Sequence, residues 1–131
     1  MNAVRWVFVF PCAAIAGYLA YFIGGTINRI GFLFTYGTPP TGWLAGALDV
    51  LSHVYMGLGA TYAAVRMAPG HPRAVAAAMT VFCLLLAGAS ILASTVAKHY
   101  LGIADALGVV FGSLAFIASA FRPTGNLTDK V

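Results

Sequence analysis

Long apolar runs fill this chain from end to end, with too few charges between them to clothe a soluble surface. Of 131 residues, 61% are hydrophobic and 8% charged, against about 25% charged in an ordinary soluble domain. Such a chain has little polar exterior to offer water, and lipid tails are the solvent that suits it. A helix needs roughly 20 apolar residues to cross the hydrocarbon core. Four stretches reach that length, at about 4–23, 43–65, 74–97 and 101–121. They are too long for strands and lack two-residue alternation, which disfavours a β-barrel. The expectation is an all-α, polytopic membrane protein: one domain over 1–131, with four transmembrane helices in a compact bundle.

The first run opens with Arg5 and an apolar stretch, and Ala14-Ile15-Ala16 imitates the small-residue cleavage site of a secretory signal. We read it as a span or an uncleaved signal anchor. Pro11 removes a hydrogen bond to the Val7 carbonyl and predicts a kink. The longest connection, Gly24 to Gly42, carries Ile30-Gly31-Phe32-Leu33-Phe34-Thr35-Tyr36 at its middle. That segment is too short to span and too apolar for water. A re-entrant or interfacial first loop is the expectation, with Tyr36 and Trp43 at headgroup level. The alternative is a longer, tilted first helix that continues past Gly24 and stops before Pro39-Pro40. Further on, Pro69-Gly70 and His71-Pro72 mark a turn and a fresh helix start. Lys98-His99-Tyr100 is a tight hairpin between the last two spans, and Arg122-Pro123 ends the fourth.

The net charge of +4 does not point to nucleic acid, because the basic residues are scattered singly and form no stripe. Arg5, Arg66, Arg73, Arg122 and Lys130 fall on one side of a four-span arrangement, with Arg29 and Lys98 on the other. The positive-inside rule then puts both termini in the cytoplasm, and a bacterial inner membrane is the expected setting. Cys12 and Cys83 fall inside spans and read as packing residues. No Cys/His spacing suggests zinc. The chain has no glutamate, no GxSxG turn and no phosphate-binding loop. Enzyme action is therefore disfavoured, no resident metal or cofactor is expected, and bound lipid is.

Helices in lipid associate through small residues and a few polar contacts, and each run shows such a stripe. They are Ala13, Gly17, Ala20, Gly24; Gly46, Asp49, His53, Gly57, Ala60, Ala64; Thr80, Cys83, Ala87, Ser90, Ser94, Lys98; and Asp105, Gly108, Gly112, Ala115, Ser119. Steps of three and four place each set on one helix face. Gly108–Gly112 and Gly42–Gly46 are GxxxG matches. Packing within one chain is favoured over homodimerisation as their use.

Nearly every ionisable residue of the spans lands at the same end. Asp49, His53, Lys98, His99 and Asp105 all fall in the outer half, with Asn28 and Arg29 above them. Charges inside a span are costly and are usually paired or wet. The bland expectation is that Lys98 pairs with the aspartates and closes the bundle, with His53 bonded to Asp49. The functional expectation is a hydrated vestibule for a proton, an ion or an anionic headgroup, in which His53 is the titrating element. A metal set drawn from Asp49, His53, His99 and Asp105 is a weaker reading, since its spacing is not diagnostic.

No motif names a substrate. The leading expectation is a small membrane subunit that assembles as a homo-oligomer or with other membrane proteins, surrounded by lipid. The alternatives are a small transporter or channel using the outer vestibule, and a membrane enzyme acting on lipid headgroups.

Overall fold

The computed structural model describes residues 2–68, 71–96, 98 and 100–121, with side chains from Val7 onward. Its elements are four helices: α1 (Asn2–Tyr36), α2 (Trp43–Met67), α3 (Pro72–Val96) and α4 (Leu101–Ala120). The fold is all-α. Three of the helices, Val7–Tyr36 of α1 together with α3 and α4, are long and apolar enough to cross a membrane. Most large apolar side chains lie on the outside, among them Phe8, Leu19, Phe22, Phe34, Leu85, Leu92 and Phe111.

The expected first loop is corrected: residues 24–36 continue α1. Gly24 and Gly25 read as a helix end, yet they are packing notches. A Cβ on Gly24 would run into the Tyr55 ring, and one on Gly25 would come within 2.7 Å of Ser52 Oγ. The helix tolerates them because α2 takes the space they leave. Thr26 and Thr35 donate to the carbonyls of Phe22 and Gly31, at 2.7 and 2.9 Å, so their hydroxyls stay within the helix. Termination comes at Gly37, whose φ of 71° is the left-handed value glycine adopts freely. Its N–H closes the helix on the Leu33 carbonyl at 2.8 Å. Pro39-Pro40 then prevents any restart before α2. At 35 residues and 1.5 Å each, α1 is about 52 Å long, well beyond the hydrocarbon thickness of about 30 Å. The helix also carries Pro11 in its interior.

The arrangement centres on α2. It packs along α1, α3 and α4, and α4 packs along α3. Small residues set the spacing. Gly57 lies against the Val109 carbonyl and Gly112 against the Val54 carbonyl, so neither can carry a side chain without moving a backbone. A Cβ on Gly108 would lie 2.8 Å from the Val50 carbonyl oxygen. Gly17 plays the same part for α1, 3.0 Å from the Met56 carbonyl oxygen and from Ala60 Cβ. The Gly108–Gly112 pair is thus used inside the chain, by the neighbouring helix. Gly46 packs more loosely, with a Cβ there 3.4 Å from the Leu101 side chain. At the opposite end from the polar cluster, Val9, Ala13, Ala60, Ala64, Val75 and Met79 form a closed apolar core.

A hydroxyl network pins α2, α3 and α4 together at the middle. Thr61 and Ser113 are fully buried and Thr80 nearly so. Thr61 Oγ1 lies 3.0 Å from Ser113 Oγ, and Ser113 Oγ lies 2.8 Å from Thr80 Oγ1. The threonines also reach their own helix carbonyls, Gly57 at 2.8 Å and Ala76 at 3.0 Å. Each hydroxyl has one proton and two acceptor sites. Thr80 can therefore donate to the Ala76 carbonyl while Ser113 donates to Thr80 and Thr61 donates to Ser113, which puts one proton in each contact between helices.

Candidate functional site

The polar residues of α1, α2 and α4 meet about two turns below the start of α2. Asp49 lies six residues past Trp43, or about 9 Å along the axis at 1.5 Å per residue, and His53 is one turn deeper. Asp105 is one turn into α4. Because α2 and α4 run side by side in the same direction, His53 comes level with Asp105. His53 Nδ1 is 3.5 Å from Asp105 Oδ1 and 2.9 Å from the backbone carbonyl oxygen of Asp49. Two acceptors facing one ring nitrogen place the imidazole proton on Nδ1 in the neutral ring.

The α1 side supplies Tyr21 and Arg29. Tyr21 Oη donates to Asp49 Oδ1 at 3.2 Å, and its ring centre lies 4.9 Å from that of His53. Arg29 Nη2 reaches the same carboxylate oxygen at 3.5 Å, the outer limit of a hydrogen bond, from a largely exposed position. Asn28 sits half-buried beside them, and its Nδ2 has no hydrogen-bond partner among the described residues. On the other side of His53 a cavity of about 430 Å³ opens between α2, α3 and α4. Its wall is mixed: His53, Asp105, Ser90 and Ser94 are polar, and Met56, Leu86 and Val109 are not.

Asp49, His53 and Asp105 are brought together, all half-buried. The expected Lys98 pairing is corrected. Lys98 is exposed in the turn after α3 with a left-handed φ of 55°. At this end Asp49 pairs with Arg29, and Asp105 lies against His53. The physical reason is the extension of α1, which carries Arg29 down beside Asp49 rather than leaving it in a loop above. His53 bonds the Asp49 carbonyl rather than its carboxylate. His99 lies outside the described residues. Tyr21 escaped the sequence reading, although it stands four residues past Gly17 on the face that α1 turns to α2.

The packing glycines Gly17, Gly57, Gly108 and Gly112 all lie buried between helices. The cysteines Cys12 and Cys83 are both free thiols, the latter buried. Comparison with protein-family models, with curated proteins and with solved structures finds no match.

Proposed function

We propose that this chain is a small four-span membrane protein that takes up a small cation at the Asp49–His53–Asp105 site and passes it across the bilayer, as a transporter or channel unit. The observation that carries this reading is the convergence of those three residues from two helices beside a cavity with polar walls. Intramembrane charges cost free energy and mark a pathway by default, and Asp49 and Asp105 are both half-buried. Carboxylate oxygens and an imidazole nitrogen are ligands for a cation rather than for an anionic headgroup. In this reading α2 is the fourth span. It is the least apolar of the four because it is the one surrounded by the other three, so its polar residues face protein instead of lipid. Both termini then lie in the cytoplasm by the positive-inside rule, and a bacterial inner membrane fits.

Reconstitution into liposomes with an internal pH dye tests it. An imposed potential should drive cation or proton flux in the unaltered protein, and Asp49→Asn and His53→Ala should each reduce that flux at least tenfold. Equal flux in empty, unaltered and variant vesicles would remove the transport reading.

The second reading is a subunit of a larger membrane assembly or homo-oligomer. The observation in its favour is an apolar groove of about 480 Å³ between α2 and α4, lined by Val50, Val54, Leu107, Gly108, Phe111 and Leu114. Native mass spectrometry of gently extracted protein distinguishes a defined oligomer or a co-purifying partner from a lipid-bound monomer.

A further inference from the structure

We propose that Asp49, His53 and Asp105 form a binding site for a divalent first-row transition-metal ion. The inference rests on the cation-site reading above and names the cation. One ligand atom from each residue lies within 4.8 Å of the others, and the closest pair has metal-like spacing. His53 Nδ1 and Asp105 Oδ1 are 3.5 Å apart. An ion bound at about 2.1 Å from each would subtend about 110°, a tetrahedral value. A metal ion at Nδ1 takes the other tautomer of the neutral ring: the single proton moves from Nδ1 to Nε2, and the freed Nδ1 lone pair binds the ion. Asp49 Oδ closes the set by a carboxylate rotation.

The donor chemistry narrows the ion. An imidazole nitrogen with carboxylate oxygens suits Mn²⁺, Fe²⁺, Co²⁺ or Zn²⁺. Ca²⁺ and Mg²⁺ prefer all-oxygen sets, and Cu⁺ prefers sulfur. Three side-chain ligands leave positions for water, and the cavity lined by Ser90 and Ser94 lies next to His53 and Asp105. An open site of this kind exchanges its ion, as a carrier must, whereas a structural site is closed by four protein ligands. Arg29 is the internal competitor. Its guanidinium shares Asp49 Oδ1 at 3.5 Å with the side chain largely in solvent, so it can leave when a metal arrives.

Co²⁺ titration of the detergent-solubilised full chain, followed by visible d–d absorption and by equilibrium dialysis, tests the site without reference to flux. One ion per chain is expected, with ligand-field bands of a nitrogen and oxygen set. His53→Ala and Asp105→Asn should each weaken binding at least tenfold, and Arg29→Gln should strengthen it several-fold by removing the competing cation. Circular dichroism checks that each variant keeps its helices. A purely structural role for these residues would not make Arg29→Gln a better binder. No saturable Co²⁺ absorption, or binding unchanged by His53→Ala and Asp105→Asn, overturns the inference. In that event, proton flux that still depends on Asp49 would leave the transport reading standing. Tight Co²⁺ binding with no flux would establish the metal site and remove transport.

Discussion

Ser113 makes plain how a membrane bundle uses a single hydroxyl. It is fully buried, and it links Thr61 on α2 to Thr80 on α3. Replacing it with alanine leaves both threonines bonded to their own carbonyls, so the loss is limited to the links between helices. Ser113→Ala should cost about 1 kcal/mol, the usual range for a hydrogen bond between membrane helices. Ser113→Val should cost more, because the position is fully buried and must take up a larger side chain. Unfolding followed by urea in mixed micelles reads both, and equal stability of the two variants would show that the network is not a constraint. Lys98 gives a prediction of opposite sign. Its backbone φ of 55° is strained for any residue with a Cβ, at about 1 kcal/mol. Lys98→Gly should therefore raise stability by up to that amount, and it should leave Co²⁺ binding unchanged because the side chain stands outside the Asp49–His53–Asp105 group. At this scale the sequence was informative about chemistry and poor about partners. Asp49, His53 and Asp105 were legible because charges in apolar runs are conspicuous. That Arg29 and Tyr21 serve Asp49 was not, since it depends on how far α1 runs alongside α2.

The α1 helix is where local and tertiary signals part. Gly24-Gly25 and the short apolar middle of 30–36 carry the local signs of a helix end and a loop. The notches for Tyr55 and Ser52 explain why the helix goes on: a glycine costs about 1 kcal/mol in a helix interior, and close approach to α2 offsets it. Gly37 and Pro39-Pro40, by contrast, were legible stops, because a left-handed cap and a ring without an N–H act locally whatever the surroundings. The small-residue stripes of α2 and α4 were legible for the same reason as amphipathic faces, since a period of 3.6 needs only the sequence. Which pair of helices the stripes would join was not. The structure joins α2 to α4 through Gly57, Gly108 and Gly112. Gly112→Leu should force the Val54 backbone away and cost well over the 1–3 kcal/mol of ordinary overpacking. Gly88, where an added Cβ meets nothing within 4 Å, is the control: Gly88→Leu should be close to neutral. Thermal unfolding by circular dichroism compares the two, and similar loss in both would mean that the α2–α4 contact is not the close one.

For the whole molecule, the question is whether α2 crosses the bilayer with the three more apolar helices. Composition by itself argues weakly, because Asp49, His53 and Arg66 dilute its apolar character. Position argues more strongly. A lipid-exposed aspartate at the centre of a helix would cost roughly 2.5–3.5 kcal/mol on insertion scales, but Asp49 lies near one end and receives the Tyr21 hydroxyl and the Arg29 guanidinium. Arg66 lies at the opposite end of α2, in its last turn. The packing of α2 along α1, a helix long and apolar enough to span, supports the proposed fourth crossing. The proposed four crossings would put Thr38 and Lys98 on one side and His71 on the other. Single cysteines at these positions, introduced into a chain whose Cys12 and Cys83 are changed to alanine, can be probed with a membrane-impermeant maleimide. Thr38→Cys and Lys98→Cys should label in intact cells, and His71→Cys only after permeabilisation. If α2 lay along the surface instead, Thr38 and His71 would share a side and label together. That one pattern decides the number of spans and their orientation, and with them whether the Asp49–His53–Asp105 group faces the outside, where a cation would arrive.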